Sequence, residues 1–316
     1  MHLSVLIPCY NEEKVLKTTY QEIIKNIPKH CTYELLFIDD GSKDKTAEIL
    51  KTLAHEDCHV KYIIFSRNFG KESSMLAGLS YVTGEAVIIM DADLQHPPQL
   101  FEQMITYYKQ GYDQVIARRT RTGDKAHKTF LARQYYKVVN KLTDVKMQDG
   151  VGDFRLLSRK AIQAILALPE YNRFSKGLFS WIGFKQKIVD YENQERVAGE
   201  TKWSLKKLLN YGIQGILSFN DKPLRICFQL GLMCISVSFI YILWTFFEIL
   251  LHGVSVGGYF TTISSILVIG GIQLLSIGVL GEYIGKIYYE VKKRPHFLID
   301  ESNIDKAQDK NNEEEK

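Results

Sequence analysis

Two aspartates, Asp91 and Asp93, directly follow the apolar run at residues 87–90. At the end of a strand, carboxylates at positions i and i+2 can turn towards one point and hold a hard divalent cation. Oxygens of a diphosphate would complete the coordination shell, and the cation would offset the charge that builds on a diphosphate leaving group. An Asp-x-Asp triplet is also typical of a solvated turn, but its place after the apolar run favours the cation site.

A second acidic pair, Asp39 and Asp40, follows the apolar run at residues 35–38 and precedes Gly41. A carboxylate at this position can accept a hydrogen bond from the N–H group of a nucleotide base, and Gly41 permits a tight turn. Asp-Gly is equally typical of a plain turn. The pair by itself leaves both interpretations open, but its presence strengthens the interpretation of the first pair.

Short β-branched runs alternate with amphipathic stretches over the first 117 residues, which predicts a doubly wound α/β sheet. The predicted strands are residues 3–8, 33–39, 60–66, 85–91 and 113–117, and the predicted helices lie near residues 12–27, 46–53, 73–81 and 98–109. Farther along the chain, the pattern predicts a helix near residues 160–168 and a strand near residues 187–191.

Polar residues follow four of the predicted strands, and these clusters are Pro8-Cys9-Tyr10-Asn11, Asp39-Asp40-Gly41-Ser42, Ser66-Arg67-Asn68 and Asp91-Ala92-Asp93. Ligands of open α/β sheets bind beyond the carboxyl ends of the strands, so we expect the four clusters to line one pocket. No GxGxxG follows the first strand, and no GxxxxGK[ST] occurs in the sequence. A dinucleotide oxidoreductase and a P-loop NTPase therefore both lose support.

Two uncharged runs lie near the C-terminus, at residues 226–247 and 253–281. A bilayer core of ~30 Å needs ~20 helical residues, so each run is long enough to span a membrane; a pair of buried core helices is the alternative. Lys and Arg flank the pair and do not occur in its connection, which predicts that both ends lie in the cytoplasm. Residues 203–219 are apolar at helical spacing and predict an interfacial helix, with an ordinary docking helix as the alternative.

The net charge of the 316-residue chain is +4, but the segment from Asp300 to the end carries a net charge of −4. Because that segment is polar and lacks aromatic residues, we expect it to be disordered. The positive charge of the remainder suits a protein that works against anionic lipid. The five cysteines show no CxxC spacing, which is typical of free thiols in a reducing compartment.

Six segments together resemble the signatures of family 2 glycosyltransferases with the GT-A fold, in the polyprenyl-phosphate glycosyltransferase branch. They are SVLIPCYNEE (4–13), FIDDGS (37–42), DADLQHP (91–97), GDFRLL (152–157), RVAGETKW (196–203) and GEYIGKIY (281–288). That branch includes dolichol-phosphate mannose synthase and bactoprenol glucosyltransferases, and the resemblance covers residues 3–297. It implies transfer of a sugar from UDP-glucose or UDP-N-acetylglucosamine to a polyprenyl (undecaprenyl) phosphate at the cytoplasmic face of the cell membrane.

The resemblance also implies a role for each matching position. The nucleotide-binding positions are Pro8, Tyr10, Glu12, Asp39, Asp40, Asp91, Arg196 and Lys202, of which the last two belong to a segment that closes over the diphosphate. The metal-binding positions are Asp91, Asp93 and Gln95, with Mg or Mn as the cation. Asp153 matches the residue proposed as the catalytic base, and Asp93 is the second position with an implied catalytic role.

The chemistry of the acceptor bears on the role of Asp153. A phosphate monoester has its second pKa near ~6, so at neutral pH it is largely a dianion that hardly needs a base. Asp153 is therefore predicted to be either a base or a positioning group. Residues 118–146 contain nine Lys and Arg against two acids, and Arg118 and Arg133 are candidates for binding the acceptor phosphate because arginine makes bidentate contacts. A solvated or lipid-facing basic helix is the alternative.

These inferences divide the chain into a cytoplasmic GT-A catalytic domain with a Rossmann-like mixed sheet at residues 1–200, an interfacial segment at 201–224, a transmembrane hairpin at 225–290 and a cytoplasmic tail at 291–316. The predicted reaction is a single displacement with inversion at the anomeric carbon. No nucleic-acid partner is predicted, and Gly278, Gly281 and Gly285 permit the close helix contacts of a homo-oligomer.

Two other functions compete with this one. A processive polysaccharide synthase would carry an Arg-Trp pair and more spans, whereas this sequence contains no Arg-Trp pair and only two long uncharged runs. A non-catalytic membrane scaffold, or a component of a lipid-sugar flippase, would not need the intact Asp-x-Asp.

Overall fold

Eight strands form one mixed sheet in the computed structural model, which describes residues 1–120, 140, 150–168, 170–192, 222–252 and 258–304. The strands are β1 (His2–Cys9), β2 (Thr32–Asp39), β3 (Val60–Phe65), β4 (Ala86–Ile89), β5 (Gln114–Arg119), β6 (Val151–Ser158), β7 (Gln186–Tyr191) and β8 (Ile299–Ser302). Their order across the sheet is β7-β5-β6-β4-β1-β2-β3-β8.

Strand direction divides the sheet into two parts. Strands β1 to β4 run parallel to one another, as a doubly wound pattern predicts. Strand β6 is antiparallel to β4, β5 is antiparallel to β6, and β7 is parallel to β5. The predicted mixed α/β sheet is therefore confirmed, and the inserted antiparallel β6 is the feature that alternation of strands and helices could not predict.

Eight α-helices occur in the described part of the chain. They are α1 (Leu16–Asn26), α2 (Thr46–Glu56), α3 (Lys71–Tyr81), α4 (Phe101–Lys109), α5 (Arg159–Leu166), α6 (Ser175–Trp181), α7 (Lys222–His252) and α8 (Tyr259–Lys292). The predicted helix near residues 12–27 begins later, at Leu16, because residues 12–15 form turns in which the Glu12 carbonyl accepts the N–H groups of Val15 and Leu16. Helix α6 was not predicted, since seven residues are too few to show a helical period.

Both faces of the parallel strands are buried, so these strands read as continuous apolar runs. On one face, Val5 and Phe37 pack in a cluster with Leu16 of α1 and Phe101 of α4. On the other face, α3, α5 and α6 cover the sheet, and Leu6 packs there. Helix α3 lies especially close to β1, because a Cβ atom built on Gly78 would lie 2.0 Å from Leu6 Cδ1.

The two long helices, α7 and α8, each contain a stretch long and apolar enough to cross a membrane. Their described large side chains lie on the surface, among them Phe228, Trp244, Leu251 and Leu274. An apolar surface of this extent is unusual for a protein in water and marks contact with lipid or with another chain. The predicted interfacial helix at residues 203–219 lies outside the described residues.

The C-terminal segment corrects one prediction. Residues 299–302, of which all but the first were predicted to be disordered, form β8 and pair antiparallel with β3. Glu301 pairs with Lys51 at 2.5 Å and accepts a hydrogen bond from the Tyr62 hydroxyl at 3.0 Å. The Asn303 side chain accepts from the Tyr62 N–H at 2.7 Å and donates to the Val60 carbonyl at 3.0 Å. The acidic composition of the tail gave no indication of this short strand, which pairs with the edge of β3.

Candidate active site

The carboxyl ends of β1, β2, β3 and β4 meet at one edge of the sheet, because these strands are parallel neighbours. All four polar clusters therefore leave the sheet at this edge. Asp153 reaches the same edge from the other direction, since it lies near the start of the antiparallel strand β6. The register pairs Ile89 of β4 with Arg155, which brings Asp153 beside the residues that follow β4.

The centre of this edge is an ion-pair cluster of one lysine and two aspartates. Lys71 Nζ lies 2.6 Å from Asp91 Oδ1 and 2.6 Å from Asp153 Oδ2. Asp153 is the least exposed of the three side chains, at 13%, against 31% for Asp91 and 40% for Lys71. The cluster is therefore partly exposed, so a ligand can reach it in the cleft expected beyond the carboxyl ends of the strands.

The charges of this cluster shift the pKa of each member. Although desolvation opposes the shift, the carboxylates of Asp153 and Asp91 raise the pKa of Lys71. Desolvation is likewise outweighed at the two acids, because the Lys71 ammonium lowers the pKa of Asp153 and of Asp91. All three groups are thus charged at neutral pH, and Asp153 is a weak proton acceptor.

Lys71 was not predicted as a site residue. The sequence does carry a signal for it, because Ser66-Arg67-Asn68 was identified as a wall of the pocket, and Lys71 follows three residues later at the start of α3. A lysine at the start of a helix lies where the helix dipole is positive, so it needs acidic partners. Those partners come from strands β4 and β6, which are distant in sequence.

His96 fixes the loop that carries Asp91. Its Nδ1 accepts the Asp91 backbone N–H at 2.9 Å, so the neutral ring carries its proton on Nε2, which lies 4.0 Å from Asp91 Oδ2. The ring stacks on Phe154, with 4.9 Å between centroids, and burial lowers the pKa of His96. The same loop holds Leu94 at φ +58°, a conformation that costs a bulky residue about 1–2 kcal/mol and that concentrates at functional sites.

The side-chain acceptor atoms of Asp91, Asp93 and Gln95 are all oxygens, and oxygens are the ligands that Mg²⁺ or Mn²⁺ prefers. Asp93 Oδ1 also accepts the Gln95 backbone N–H at 3.1 Å, which holds the two residues in one turn. The Lys71 ammonium beside Asp91 demonstrates that this point of the cleft attracts positive charge. The residues present therefore fit a divalent cation.

Asp40 anchors the loop that precedes Lys71. Its Oδ1 accepts the N–H groups of Phe69 at 2.6 Å and Gly70 at 3.1 Å, and its Oδ2 accepts that of Gly70 at 2.9 Å. Burial raises the pKa of Asp40 to about 6. Both oxygens therefore position the backbone of this loop, and the contact of Asp40 with the nucleotide that the resemblance implied stays a prediction.

Asp39 uses only one of its two carboxylate oxygens in the described hydrogen bonds. Its Oδ1 accepts from the Ser42 backbone at 3.2 Å and from the Ser42 hydroxyl, whereas its buried Oδ2 has no hydrogen-bond partner among the described residues. Burial raises the pKa of Asp39. A buried acceptor without a donor is costly, and a base N–H is a donor of the kind it lacks.

The first loop is tied to the second. The backbone N–H of Asn11 donates to the Ser42 hydroxyl at 2.8 Å, and that of Glu12 donates to Thr46 Oγ1 at 2.9 Å. Pro8, Tyr10 and Glu12, the other positions implied for the nucleotide, lie in or next to this half-buried turn after β1.

Gly41 allows the second loop to pass directly against the third. Its φ is +64°, and a Cβ atom built on it would lie 2.4 Å from the carbonyl carbon of Arg67. Only glycine fits a position with both a left-handed backbone and so close an approach. Gly41 and Asp40 together therefore set the distance between the turn after β2 and the loop that leads to Lys71.

Glu72 is a second site residue that was not predicted. Its Oε2 accepts the Ser175 backbone N–H at 3.0 Å and the Ser175 hydroxyl, which ties α3 to α6. Desolvation, followed by the charge of Asp153, raises the pKa of Glu72 to about 7. The loop before α6 contacts the end of α8, where Glu290 accepts the N–H groups of Tyr171 and Asn172 at 2.9–3.1 Å.

Arg118, a candidate for the acceptor phosphate, forms a bidentate pair with Asp190. Its Nε lies 2.6 Å from Oδ1 and its Nη2 lies 2.9 Å from Oδ2. This pair joins β5 to β7, and an acceptor phosphate would compete with Asp190 for the guanidinium. Three further predicted residues, Arg133, Arg196 and Lys202, lie outside the described residues.

Comparison with known proteins bears on this site. Residues 4–166 match the model of the family described as Glycosyl transferase family 2, and residues 222–287 match that described as the GtrB C-terminal hairpin. The chain is 56% identical over 303 residues to CsbB of Bacillus subtilis (strain 168), a protein named as a glycosyltransferase, with 96% of this chain and 92% of CsbB covered.

A prophage bactoprenol glucosyl transferase homolog of Escherichia coli (strain K12) is 43% identical over 95% of this chain and 98% of its own length. Among solved structures, glucosyl-3-phosphoglycerate synthase from Mycobacterium tuberculosis, in complex with Mn²⁺, UDP-glucose and phosphoglyceric acid, is 18% identical and has a TM-score of 0.47. That alignment covers 69% of this chain and 80% of the synthase.

Proposed function

The chain belongs to glycosyl transferase family 2 and is a glycosyltransferase, and on that premise we propose that it transfers one sugar from a nucleoside diphosphate to a polyprenyl phosphate at a membrane surface. The proposed donor is UDP-glucose or UDP-N-acetylglucosamine, and the proposed acceptor is undecaprenyl phosphate. Relatives named as bactoprenol glucosyl transferases, 42–43% identical over at least 95% of this chain, support the acceptor class.

One observation of the structure carries the proposal: Asp91, Asp153 and Lys71 converge at the carboxyl edge of the sheet. Anionic reactants need both a cation site and a positively charged side chain in one place. The cluster offers the first through the Asp91 loop and the second through Lys71. Asp39, at the end of β2, has a buried oxygen with no partner among the described residues, and this oxygen is suited to a base N–H.

Each residue then has a task in a single displacement. Asp39 orients the base, and Asp91, Asp93 and Gln95 are the residues that would hold Mg²⁺ or Mn²⁺. When bound there, the divalent cation stabilises the charge of the departing nucleoside diphosphate. Lys71 offers positive charge to phosphate oxygens, which reduces the repulsion between the two anionic reactants.

Asp153 acts in this scheme as an electrostatic and positioning residue. The Lys71 ammonium lowers its pKa against desolvation, so the carboxylate is a poor base. The acceptor phosphate is already a dianion at neutral pH and attacks the anomeric carbon without losing a proton. The sugar is transferred with inversion as the bond to the leaving diphosphate oxygen breaks.

Membrane attachment through α7 and α8 is part of the proposal. The matched hairpin family and the exposed apolar side chains of both helices support it. Strand β8 follows both helices in the chain yet pairs with β3, which precedes them, so both flanks of the hairpin return to the sheet. This supports the prediction that the catalytic domain and both flanks share one side of the membrane, proposed as the cytoplasmic side.

Synthesis of a glycolipid by the purified protein tests the function. Protein in detergent is incubated with Mn²⁺, undecaprenyl phosphate and a panel of nucleotide sugars, and the mass of the lipid product is measured by mass spectrometry. We expect one hexose or N-acetylhexosamine per lipid, whereas a processive synthase would add many. Asp93→Ala should abolish the product, and Asp300→Asn, on exposed β8, is the matched control that should retain it.

Two outcomes would refute the proposal. The first is no glycolipid with any donor of the panel, and the second is full activity in Asp93→Ala. For Asp153, the pH–rate profile of Asp153→Asn separates the two roles. An equal loss of rate at every pH agrees with positioning, whereas rescue of the rate at high pH would assign the residue as a base.

A further inference from the structure

We propose that Lys71 makes cation binding at Asp91 depend on a bound nucleoside diphosphate. The Lys71 ammonium competes with a divalent cation for the Asp91 carboxylate, and phosphate oxygens of the diphosphate draw the ammonium away. This inference rests on the proposed function for the identity of its ligand, a nucleoside diphosphate. The inference gives a specific role to Lys71, which forms ion pairs with both Asp91 and Asp153.

The competition follows from the geometry of the ion pairs. Lys71 Nζ lies 2.6 Å from Asp91 Oδ1, which is the distance of a fully formed charge-assisted hydrogen bond. A divalent cation on the same carboxylate would lie close to this ammonium, and like charges at short range repel strongly where water is partly excluded. The ammonium therefore lowers the affinity of Asp91 for the cation.

The side chain of Lys71 can move although its backbone is held. Asp40 fixes Phe69 and Gly70 just before it, and α3 begins at Lys71 itself. The side chain is 40% exposed, and its flexible four-carbon stem lets the ammonium turn without any shift of α3. Phosphate oxygens in the cleft would offer hydrogen bonds that replace the contact with Asp91.

Asp153 keeps the ammonium in the cleft during this exchange. It pairs with Lys71 through Oδ2 at 2.6 Å and is less exposed than Asp91. After Lys71 leaves Asp91, it lies between Asp153 and the phosphate. Cation and diphosphate then bind with positive coupling, because the diphosphate removes the ammonium that opposes the cation, and linkage makes the effect reciprocal.

A purely structural role for Lys71 gives the opposite expectation. In that case the ammonium only holds the loops of Asp91 and Asp153 together. Its removal would let the loops separate, so cation affinity would fall and the thermal midpoint would fall with it.

Mn²⁺ binding to the intact protein in detergent tests the proposal, measured by electron paramagnetic resonance of free Mn²⁺ with and without UDP. Without UDP, we expect Lys71→Met to bind Mn²⁺ about tenfold more tightly than the wild type, and the gain in affinity that UDP provides should shrink by a similar factor. Lys71→Arg keeps the charge and should keep most of the coupling. Lys17→Met removes an exposed lysine of α1 and is the matched control.

Unchanged or weaker Mn²⁺ affinity in Lys71→Met would overturn the proposal, and so would undiminished coupling to UDP. Lys71→Gln is a second neutral variant, to be used if Lys71→Met does not fold. The measurement needs neither sugar transfer nor lipid, so the two proposals fail separately. A wild type that makes no glycolipid refutes the proposed function, whereas absent coupling beside normal glycolipid synthesis refutes only the role of Lys71.

Discussion

Replacing Gly41 with alanine tests whether the turn after β2 sets the position of the loop that leads to Lys71. The added Cβ would lie 2.4 Å from the carbonyl carbon of Arg67, 2.7 Å from its Cα and 2.8 Å from its carbonyl oxygen. All three are backbone atoms, so no side chain can rotate away to relieve the contact. The loop after β3 must therefore move by about 1 Å, which is the difference between 2.4 Å and an ordinary van der Waals contact of 3.4 Å.

The expected loss of stability has two parts. Alanine at φ +64° costs about 1–2 kcal/mol, because a left-handed backbone brings Cβ against the carbonyl oxygen. Overpacking against the backbone of Arg67 adds about 1–3 kcal/mol. Gly111 provides the matched control, since it has φ +84° and its Cβ would meet nothing within 4 Å. Gly111→Ala should therefore show only the first part.

Thermal unfolding of both variants in detergent, followed by circular dichroism, measures the difference. For a domain of this size 1 kcal/mol shifts the midpoint by about 2–4 °C, so we expect Gly41→Ala to melt about 2–12 °C below Gly111→Ala. Glycolipid synthesis should fall by about a hundredfold in Gly41→Ala alone, as a displacement near 1 Å typically costs. Equal midpoints and equal activities in the two variants would refute the reasoning.

Three further predictions concern Asp40, Glu290 and Asn303. Since burial raises the pKa of Asp40 to about 6, its stabilising contribution is fully present below the pKa of the unfolded chain and is lost as the pH rises through 6. The free energy of unfolding of the wild type, relative to that of Asp40→Asn, should therefore fall by up to ~3 kcal/mol as the pH rises from about 4 to about 8. Thermal midpoints of the two proteins across this range measure the change, and a constant difference between them would contradict the prediction. Glu290→Gln weakens the acceptor of two backbone N–H groups, so hydrogen exchange at Tyr171 and Asn172 should accelerate about tenfold; unchanged exchange would show that another contact holds this loop. Asn303→Ala removes two hydrogen bonds to β3, so proteolysis after residue 292 should accelerate while exchange within β1 stays slow, and equal cleavage rates would count against the anchoring role.

The parallel half of the sheet could be predicted from the sequence because each buried strand is a continuous apolar run that ends in a polar cluster. The position of Asp91 and Asp93 follows from that pattern and from their spacing alone. Asp153 was identified only through resemblance to a family. Its strand runs antiparallel to β4, and strand direction is a property of the whole topology that no local pattern encodes.

The residues that the sequence did not predict were missed for one physical reason. Lys71, Glu72 and the residues of β8 acquire their roles from partners far away in sequence, such as Asp153, Ser175 and Tyr62. A sequence also does not show which oxygens of an acidic pair are already occupied. Asp39 and Asp40 are adjacent, yet one oxygen of Asp39 is buried without a partner in the part of the chain that the structure describes, whereas both oxygens of Asp40 accept from a neighbouring loop.

Strand β8 has a practical consequence for anyone who wants a water-soluble version of the enzyme. Ending the chain before residue 222 would discard the apolar helices and β8 with them. The edge of β3 would then be bare, and the Phe65 ring would lose Phe297, which stacks on it with 5.1 Å between centroids. Bare edges recruit strands from other molecules and promote aggregation. A better soluble form would graft residues 293–304 back through a short linker that bypasses the helices.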